Sequence, residues 1–419
     1  DRWPWISVDE YQDVDEPQYE LLRLLAGSGD GLTVIGDPDQ AIYGFRGADV
    51  GFFLRFGQDH PAARTVALTR NYRSRAAIVT GALQAIAPAT LVPGRQLHAA
   101  AEERGRSAPA IVWHEAATEP AEGAWIAGEI DRLLGGSSFH SLDSGRVDAR
   151  QRHAALGLSD IAVLYRTDTQ AAALAQALTR AGLPFQKRSH DRLSRRPGVR
   201  DIVAQMRLAG PAGLAGLAGH PDQEDGAERR LRQAMAALTS LMPHGSASAV
   251  DVLAAGEVLT PLARRCGDDV ERFLTEISLG AEADALDARA DAVTLLTLHA
   301  AKGLEFDVVF IAGCERGLLP LWLPGRANGR PAGPAANGDE PGGQGARTAV
   351  DQDEERRLLF VGMTRARARL FLTCAARRSR PGAPSAGGPS PFLAAIDPAL
   401  LSQVAPARKP PADRQLRLL

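Results

Sequence analysis

The stretch WISVDEYQD (residues 5–13) places an apolar run directly before two adjacent carboxylates, Asp9 and Glu10. The apolar run predicts a buried strand, so the acidic pair falls at the carboxyl end of that strand. In open α/β sheets, ligands bind at this edge. An Asp there can hold Mg²⁺, and the neighbouring Glu can orient or deprotonate a water for attack on a phosphate. The alternative is a solvated pair that caps the helix predicted from DEPQYELLRLLAG (residues 15–27).

The same order of an apolar run followed by a helical pattern recurs along the chain. We predict strands at WISV (5–8), LTVIG (32–36), TVALT (65–69), AIVWH (110–114), DIAVLYR (160–166), VTLLTLH (293–299), DVVFIAG (307–313) and RLFLTC (369–374). Helical stretches such as residues 119–134 and 169–182 lie between them. Strands that alternate with helices predict an α/β fold with parallel sheets, covered on both faces where the strands are apolar throughout.

Three segments depart from this alternation. Residues 199–290 carry helical patterns without a strand signal, which predicts a small helical insertion. Residues 324–349 are of low complexity and predict a disordered loop. The stretch 380–419 is rich in Pro, Ala and Gly, and we predict a disordered tail or linker there.

The composition is that of an ordinary soluble globular protein, with 45% apolar and 23% charged residues. The net charge of −2 indicates no global basic field, although a local basic groove is compatible with it. The three cysteines are far apart in sequence, which argues against a disulfide framework or a zinc site and suits the cytoplasm. No run of eighteen apolar residues predicts a membrane span.

The second polar strand end is VIGDPDQAIYGFRGA (residues 34–48). The amide of Gln40 can both donate and accept, so it can bridge from a nucleotide to a neighbouring loop. Tyr43 and Phe45 can stack on unpaired bases, which contributes about 1–3 kcal/mol per base, and Arg46 can pair with phosphate. The alternative is that both aromatic rings belong to the core.

Two further strand ends carry candidate ligands. In LTRNYRS (residues 68–74), Arg73 is a candidate phosphate ligand and Tyr72 a candidate platform for an adenine; a surface turn with ordinary charges is the alternative. In TLHAAKGLEFDVVFIAG (residues 297–313), Thr297 and His299 end one strand. Gly303 permits close backbone approach, and Glu305 can accept a ribose hydroxyl. A histidine in isolation is more often structural than functional.

The last stretch is DEERRLLFVGMTRARARLFLT (residues 353–373), an acidic-started helix that runs into a strand. Arg365, Arg367 and Arg369 recur at every second position of the junction. One of them could act as an arginine finger on a transferring phosphate, a role that contributes about 10³–10⁵-fold in rate. The alternative is the solvated basic end of a helix.

Taken in order, five motifs resemble those of UvrD/Rep-type superfamily 1 DNA helicases: VDEYQD, GDPDQAIYGFRGA, NYRS, TLHAAKGLEFDVVFIAG and EERRLLFVGMTRAR. The resemblance runs from about residue 5 to 378. It implies two RecA-like parallel-sheet domains, with residues 1–68 as the C-terminal part of an N-terminally incomplete first domain. The second domain would comprise residues 69–198 and 291–379, and the helical insertion would interrupt it.

The resemblance also implies an activity and a set of partners. We expect an ATP-dependent 3′→5′ DNA helicase that uses ATP and Mg²⁺. Its partners would be single-stranded and duplex-junction DNA, with repair or recombination proteins as further candidates.

By motif match, Asp9 would hold Mg²⁺, Glu10 would activate the attacking water and Gln40 would sense the γ-phosphate. Arg73 and Arg365 would contact the γ-phosphate from the second domain. Tyr72 would stack on the adenine, and Gly303 and Glu305 would lie at the nucleotide, with Glu305 at the ribose. Single-stranded DNA would be contacted by Tyr43, Phe45, Arg46, Thr297 and His299.

The sequence departs from the family most clearly by lacking a P-loop, GxxxxGK[ST], upstream of the acidic pair. None of the three lysines, Lys187, Lys302 and Lys409, follows the required glycines. We therefore expect a helicase fragment that is inactive alone, an expectation that the start at Asp1 beside a core strand favours. The alternative is a short protein that binds DNA or a partner without hydrolysing ATP. A helicase–nuclease subunit is a third option, but too few residues follow 380 for a nuclease domain.

Overall fold

The computed structural model describes residues 3–27, 29, 31–100, 108–135, 156–188, 193–208, 226–243, 246–279, 291–321, 343–378 and 388–404. Over these ranges, no helix has the combination of length and apolar composition that crossing a membrane requires.

The strands and helices follow one another as the alternating pattern predicts. The strands are β1 Ile6–Val8, β2 Leu32–Val34, β3 Arg70–Asn71, β4 His98–Ala99, β5 Ile111–Ala116, β6 Ile161–Tyr165, β7 Phe185–Arg188, β8 Val293–Thr297, β9 Phe306–Ile311, β10 Ala366–Ala375 and β11 Leu401–Gln403. The α-helices are α1 Glu16–Ala26, α2 Gly51–Leu54, α3 Phe56–Asp59, α4 Ala76–Ile86, α5 Glu119–Leu133, α6 Asp168–Arg180, α7 Val199–Leu208, α8 Ala227–Leu241, α9 Ala247–Cys266, α10 Val270–Leu279 and α11 Gly343–Met363.

The main sheet has the strand order β11-β5-β10-β9-β6-β8-β7, and each neighbouring pair is parallel. Because side chains alternate along a strand, Leu370 and Leu372 of β10 join the hydrophobic cluster that contains α4 and α11. Phe371, between them, joins the cluster that contains α5 and α6 on the opposite face. The sheet is thus covered on both sides, which confirms the predicted α/β fold with a parallel sheet.

The helical insertion has a hydrophobic cluster of its own. Helices α7 to α10 lie between β7 and β8 in the chain, and Ile202, Leu231, Leu259 and Phe273 pack together among them. The predicted helical character of residues 199–290 is confirmed over the described part; residues 209–225 and 280–290 lie outside it.

The region before residue 62 forms a smaller unit. Strands β1 and β2 pair in parallel, and Tyr11, Val14 and Phe52 form a compact cluster beside them. Asp15 caps α1 through its side chain, and Gln18 completes a capping box. Leu24 on α1 is exposed, and none of the α1 side chains is buried. Tyr19 and Leu22 of α1 are partly buried against the cluster, whereas Leu21, Leu24 and Leu25 are exposed.

The strand predicted at TVALT (65–69) is wrong. These residues form no strand, and pairing begins only at Arg70, where β3 meets β4. Val66 and Leu68 are 66% and 83% exposed. A β-branched, apolar composition produces a strand only where a partner strand and a covering layer are available.

The tail predicted from residue 380 is wrong over residues 388–404. Strand β11 adds to the edge of the main sheet beside β5, and a 3₁₀ turn at Pro391–Ala395 precedes it. Phe392 and Ile396 are buried in the main core, which anchors this segment. Residues 379–387 and 405–419 lie outside the described residues.

The low-complexity loop predicted at 324–349 overlaps a helix. Helix α11 begins at Gly343, so the last seven residues of the predicted loop are helical. Residues 322–342 lie outside the described part of the chain. The sequence signal for the helix began only at the acidic residues from Asp353 onward.

Candidate nucleotide and nucleic-acid site

The acidic pair sits at the carboxyl end of β1, as predicted, and its backbone is strained. Glu10 has φ 51° and ψ 39°, the only left-handed conformation of a non-glycine residue in the described ranges. This conformation costs about 1–2 kcal/mol and persists only where the surroundings impose it, which is common at functional sites. Asp9 and Glu10 are both exposed. Since Asp15 caps α1, the helix-cap alternative for the pair is wrong.

Gln12 holds the acidic pair against the second polar loop. Its side chain is fully buried, and its amide Nε2 donates to Glu10 Oε2 at 2.5 Å. Its Oε1 accepts the backbone N–H of Asp37 at 3.0 Å. Residues 36–40, which follow β2, form a turn that we call the GDPDQ turn. Through Gln12, this turn orients the carboxylate of Glu10.

The amide of Gln40 is oriented by the same turn. Gln40 Nε2 donates to Asp37 Oδ2 at 3.0 Å. Burial of the Asp37 carboxyl works against its ionisation, but pairing with Arg95 outweighs burial and holds the pKa of Asp37 below its usual range. Asp37 thus remains a charged acceptor for Gln40 at neutral pH.

Lys302 reaches the acidic edge from the other end of the chain. Its buried ammonium pairs with Asp13, lies 3.4 Å from Glu10 Oε2 and donates to the backbone oxygen of Gln40 at 2.8 Å. Burial raises the pKa of Asp13, and Lys302 opposes this rise. Sequence reasoning missed this contact, although Lys302 stands out as one of three lysines in the chain.

Glu305, expected at the ribose, is paired with two arginines. Arg73 and Arg367 both donate to its carboxylate. Hydrogen bonds from Arg367 and then Arg73 hold the pKa of Glu305 below its usual range. The nearby Gly303 adopts φ +83°, and no atom lies within 4 Å of where a Cβ would stand. The positive φ of the turn therefore explains the glycine at position 303. In this structure, no other group comes close enough to require a residue without a side chain there.

Arg365 is buried beside the same edge. Its guanidinium donates to the carbonyls of Val361 and Leu304 at 2.9 and 3.2 Å and to Thr364 Oγ1 at 3.0 Å. Burial, with the nearby Arg73, lowers the pKa of Arg365 to about 10, so the group is still cationic at neutral pH. Contact with a phosphate would require it to exchange some of these bonds.

The other two arginines of the junction point to different partners. Arg367 lies at Glu305, whereas Arg369 lies 3.9 Å from Glu129 and over the ring of Phe371. Arg369 therefore belongs to the packing of α5 on the sheet. The arrangement leaves Arg365 as the junction arginine whose charge acts on Glu10 and Asp37.

The DNA-binding candidates form a cluster, which we name the aromatic platform: Tyr43, Phe45, Arg46 and His299. Phe45 is 66% exposed, and its ring meets the ring of His299 edge-on at 5.3 Å and that of Tyr43 at 6.2 Å. The guanidinium of Arg46 lies 5.2 Å from the Tyr43 ring centre. The alternative that both rings belong to the core is wrong for Phe45. Tyr43 is half-buried against the main cluster, so that alternative holds for it only in part.

Thr297 and Tyr72 complete the set of predicted residues. Thr297 ends β8, and its Oγ1 accepts the N–H of Ala300 at 3.2 Å, which shapes the turn that presents His299. Tyr72 is 72% exposed, and the Arg70 guanidinium lies 5.3 Å from its ring centre. Its ring is thus exposed enough to stack on a ligand.

The loop that carries the platform is docked on the second sheet domain. Ile42 is fully buried in the cluster of α4 and α11, and Arg357 Nε donates to the Ala41 carbonyl at 2.9 Å. Gly44 N–H donates to Glu354 Oε1 at 3.2 Å, and Tyr43 OH donates to the His299 carbonyl at 3.4 Å. The loop after β2 therefore joins the acidic edge to α11 and to the turn after β8.

Comparison with known proteins finds two matching helicase domains in this chain. Residues 1–61 match the UvrD/REP helicase N-terminal domain, and residues 66–210 and 258–377 match the UvrD-like helicase C-terminal domain. The ATP-dependent DNA helicase UvrD2 of Mycobacterium tuberculosis is 33% identical over 95% of this chain and 51% of its own length. PcrA of Bacillus subtilis, also an ATP-dependent DNA helicase, is 28% identical over 96% of this chain and 59% of its own length.

A solved structure, the C-terminal domain of a possible DNA helicase from Lactobacillus plantarum, is similar to 80% of this chain and 98% of that chain, with 14% identity and a TM-score of 0.31. The chain spans about half the length of the curated relatives that it matches. Because the two helicase-domain matches together cover most of its residues, the chain belongs to the family of UvrD-like helicases.

Proposed function

We propose that this chain supplies the water-activating, phosphate-sensing and DNA-gripping parts of an ATP-dependent DNA helicase. The observation that supports this most is the continuous hydrogen-bonded path from Glu10 through Gln12 and Asp37 to Gln40, which then leads along the backbone to the aromatic platform. A path of this kind lets occupancy of the platform change the geometry at the acidic edge.

The residues fit a magnesium–phosphate group at the acidic edge. Asp9 offers exposed carboxylate oxygens of the kind Mg²⁺ prefers, and Arg73 and Arg365 stand on the opposing domain. When bound, the ion neutralises charge on the phosphate oxygens. Glu10 would orient and deprotonate a water, Gln40 would contact the γ-phosphate, and the two arginines would complete the site on closure of the cleft. Tyr72 and Glu305 would hold the adenine and the ribose.

On the DNA side, Tyr43 and Phe45 would stack on bases, and Arg46, Thr297 and His299 would contact the strand. Alternate closing and opening of the cleft would then move the strand, as in other motors driven by domain closure. By family resemblance the direction is 3′→5′, the substrate includes duplex junctions, and repair or recombination proteins are candidate partners.

The phosphate cradle is absent from these 419 residues, since no lysine follows a GxxxxG pattern. Without the backbone N–H groups and the lysine of a P-loop, ATP loses most of its anchor. We therefore expect the isolated chain to bind ATP poorly and to hydrolyse it negligibly, while it still binds single-stranded DNA. Titration with a fluorescent ATP analogue and with labelled oligonucleotide measures both.

The control is the same chain joined to the P-loop-bearing segment of a UvrD-type relative, which we call the P-loop-completed protein. It should bind the analogue saturably. If the isolated chain and the P-loop-completed protein bound ATP with equal affinity, the expectation that ATP binding requires the P-loop would be wrong.

Replacement of Phe45 tests the aromatic platform in the isolated chain. Phe45→Ala should weaken binding to single-stranded DNA by about 1–3 kcal/mol, since it removes one stacking surface. Tyr72→Ala is the matched control, because this equally exposed ring is assigned to the adenine and should leave DNA affinity unchanged. Fluorescence anisotropy at fixed salt gives both affinities; an unchanged affinity for Phe45→Ala would remove Phe45 from the DNA surface.

A second candidate function is a DNA- or partner-binding protein that does not hydrolyse ATP. The exposed ring of Phe45, with Tyr43 and His299 beside it, is the observation that favours it, because such a platform needs no nucleotide to bind a strand. The two candidates differ in one result: the P-loop-completed protein hydrolyses ATP in response to single-stranded DNA only if the acidic edge is competent.

A further inference from the structure

Arg95, in the second domain, makes a bidentate ion pair with the GDPDQ turn. It lies between α4 and β4, in the part of the chain that matches the C-terminal helicase domain. Its Nη1 and Nη2 donate to Asp37 Oδ1 and Oδ2 at 2.6 and 2.5 Å. Nη1 also donates to Asp39 Oδ2 at 3.0 Å. Bidentate pairing of this kind fixes direction as well as charge.

The segment around Arg95 is shaped to receive the turn. Asp39 is fully buried, and it accepts the Thr90 hydroxyl at 2.7 Å and the Leu91 N–H at 2.6 Å in addition to Arg95. Gly94 adopts φ +69°, which turns the chain just before Arg95. The Arg95 guanidinium also lies 5.2 Å from the centre of the Phe360 ring on α11. The guanidinium therefore lies against the Phe360 ring as well as the carboxylates of Asp37 and Asp39.

The carboxylate that Arg95 holds is also the junction of the two chemical groups of the site. Asp37 Oδ2 accepts Gln40 Nε2, and Asp37 N–H donates to the Gln12 side chain that in turn donates to Glu10. A rotation or shift of Asp37 would move the Gln40 amide directly and Glu10 through one intermediate. A misplacement of about 1 Å can cost about 10²-fold in rate.

We propose that Arg95 is a positioning residue of the ATPase reaction, which sets the orientation of Gln40 and Glu10 by clamping Asp37 from the second domain. This inference rests on the function proposed above. Arg95 touches neither substrate nor reacting atoms; it acts through Asp37. Arg95 also links the GDPDQ turn to the domain that carries Arg73 and Arg365. The ion pair thereby fixes the position of the turn relative to that domain.

Lysine separates positioning from charge compensation. Arg95→Lys keeps a cation beside Asp37 and Asp39, so the two carboxylates do not become an uncompensated buried charge. A single ammonium, however, cannot reproduce the planar fork that grips both oxygens of Asp37 and reaches Asp39. A purely structural cation would be replaced by lysine without loss, whereas a positioning group would not.

The test measures steady-state ATP hydrolysis by the P-loop-completed protein with saturating single-stranded DNA. Arg95→Lys should lower kcat by about 10–10²-fold, with KM for ATP and the melting temperature close to wild type. Arg356→Lys is the matched control: this guanidinium donates to the Ala85 carbonyl at 2.8 Å and lies over Phe392, away from the acidic edge. Its kcat should be unchanged.

A second readout uses the 419-residue chain itself. Amide hydrogen exchange in residues 36–47 should be faster in Arg95→Lys than in wild type, with exchange in α8 and α9 unchanged. Should Arg95→Lys not fold, Asp37→Asn weakens the same ion pair from its other end and should lower kcat in the same direction.

The outcomes are distinct. A wild-type kcat in Arg95→Lys, beside robust hydrolysis by the wild type, overturns the inference alone. Unchanged exchange in residues 36–47 overturns it as well. An absence of DNA-stimulated hydrolysis in the wild-type P-loop-completed protein overturns the proposed function and this inference with it.

Discussion

In the P-loop-completed protein, Glu10→Gln is expected to lower DNA-stimulated ATP turnover by about 10²–10⁴-fold while ATP binding is retained. The carboxylate stands at the carboxyl end of β1 in a strained left-handed conformation and accepts a hydrogen bond from Gln12. An amide at this position keeps the size and one acceptor oxygen, but it cannot take a proton from water. Binding should be retained, because the P-loop and the arginines are expected to hold the phosphates in the variant as in the wild type.

Glu20→Gln is the matched control for this substitution. Glu20 lies exposed on α1 and pairs with Arg23, so it undergoes the same change of charge in the same domain. Its turnover should equal that of the wild type. Equal turnover of Glu10→Gln and wild type would remove Glu10 from the water-activating role, and joint loss of turnover and ATP binding would indicate a structural role.

Arg73→Ala is expected to lower turnover by about 10³–10⁵-fold, the effect of losing an arginine that stabilises charge on a transferring phosphate. Arg73 follows β3 in the second domain and is only partly exposed, with its guanidinium on Glu305. Once nucleotide is bound, the guanidinium of Arg73 is expected to contact the γ-phosphate. Single-turnover hydrolysis, with ATP affinity measured separately, distinguishes loss of rate from loss of binding.

Arg367→Ala is the control for Arg73→Ala, because Arg367 pairs with the same carboxylate of Glu305. If Arg73 acts on the phosphate, its loss should reduce the rate far more than the loss of Arg367 does. Equal losses would show that both arginines act only by holding Glu305, and the phosphate role of Arg73 would then be wrong.

The parallel sheet and the strand-end candidates could be predicted from the sequence because their signals are local. Apolar runs such as DIAVLYR and DVVFIAG are covered on both faces, so their composition alone indicates a buried strand. The polar residues that follow β1, β2 and β8 lie at the carboxyl ends of parallel strands, the edge at which open α/β sheets bind ligands. Composition failed at TVALT, where the apolar residues have no partner strand.

The contacts that connect the site could not be predicted, because they join residues far apart in sequence. Lys302 meets Asp13 across 289 positions of the chain, and Arg95 meets Asp37 across 58. Arg95 stands in the stretch TLVPGRQL, which carries no motif and no periodicity. The packing of residues 388–404 on the main sheet could not be predicted either. Phe392 and Ile396 are two large apolar residues in a stretch of mostly small ones, and their burial depends on the rest of the core.

The role of Arg365 shows a further limit of sequence reasoning. From the residues alone, the three arginines at alternate positions are equal candidates; the family resemblance selects Arg365, and the structure shows where each guanidinium lies. Arg369 packs at Glu129, Arg367 pairs with Glu305, and Arg365 lies buried at the acidic edge. Arg365 lies between α11 and β10, whereas Arg367 and Arg369 lie within β10, whose pairing with β9 shifts register between Ala366 and Arg369.

The most direct test of the account compares ATP hydrolysis by the isolated chain and by the P-loop-completed protein, each with and without single-stranded DNA. We propose that this chain carries the acidic, sensing and DNA-binding parts of the site, and its 419 residues contain no phosphate cradle. We expect negligible hydrolysis by the isolated chain under both conditions and hydrolysis by the P-loop-completed protein that rises when DNA is added. Robust DNA-stimulated hydrolysis by the isolated chain, or none by the P-loop-completed protein, would contradict this proposal.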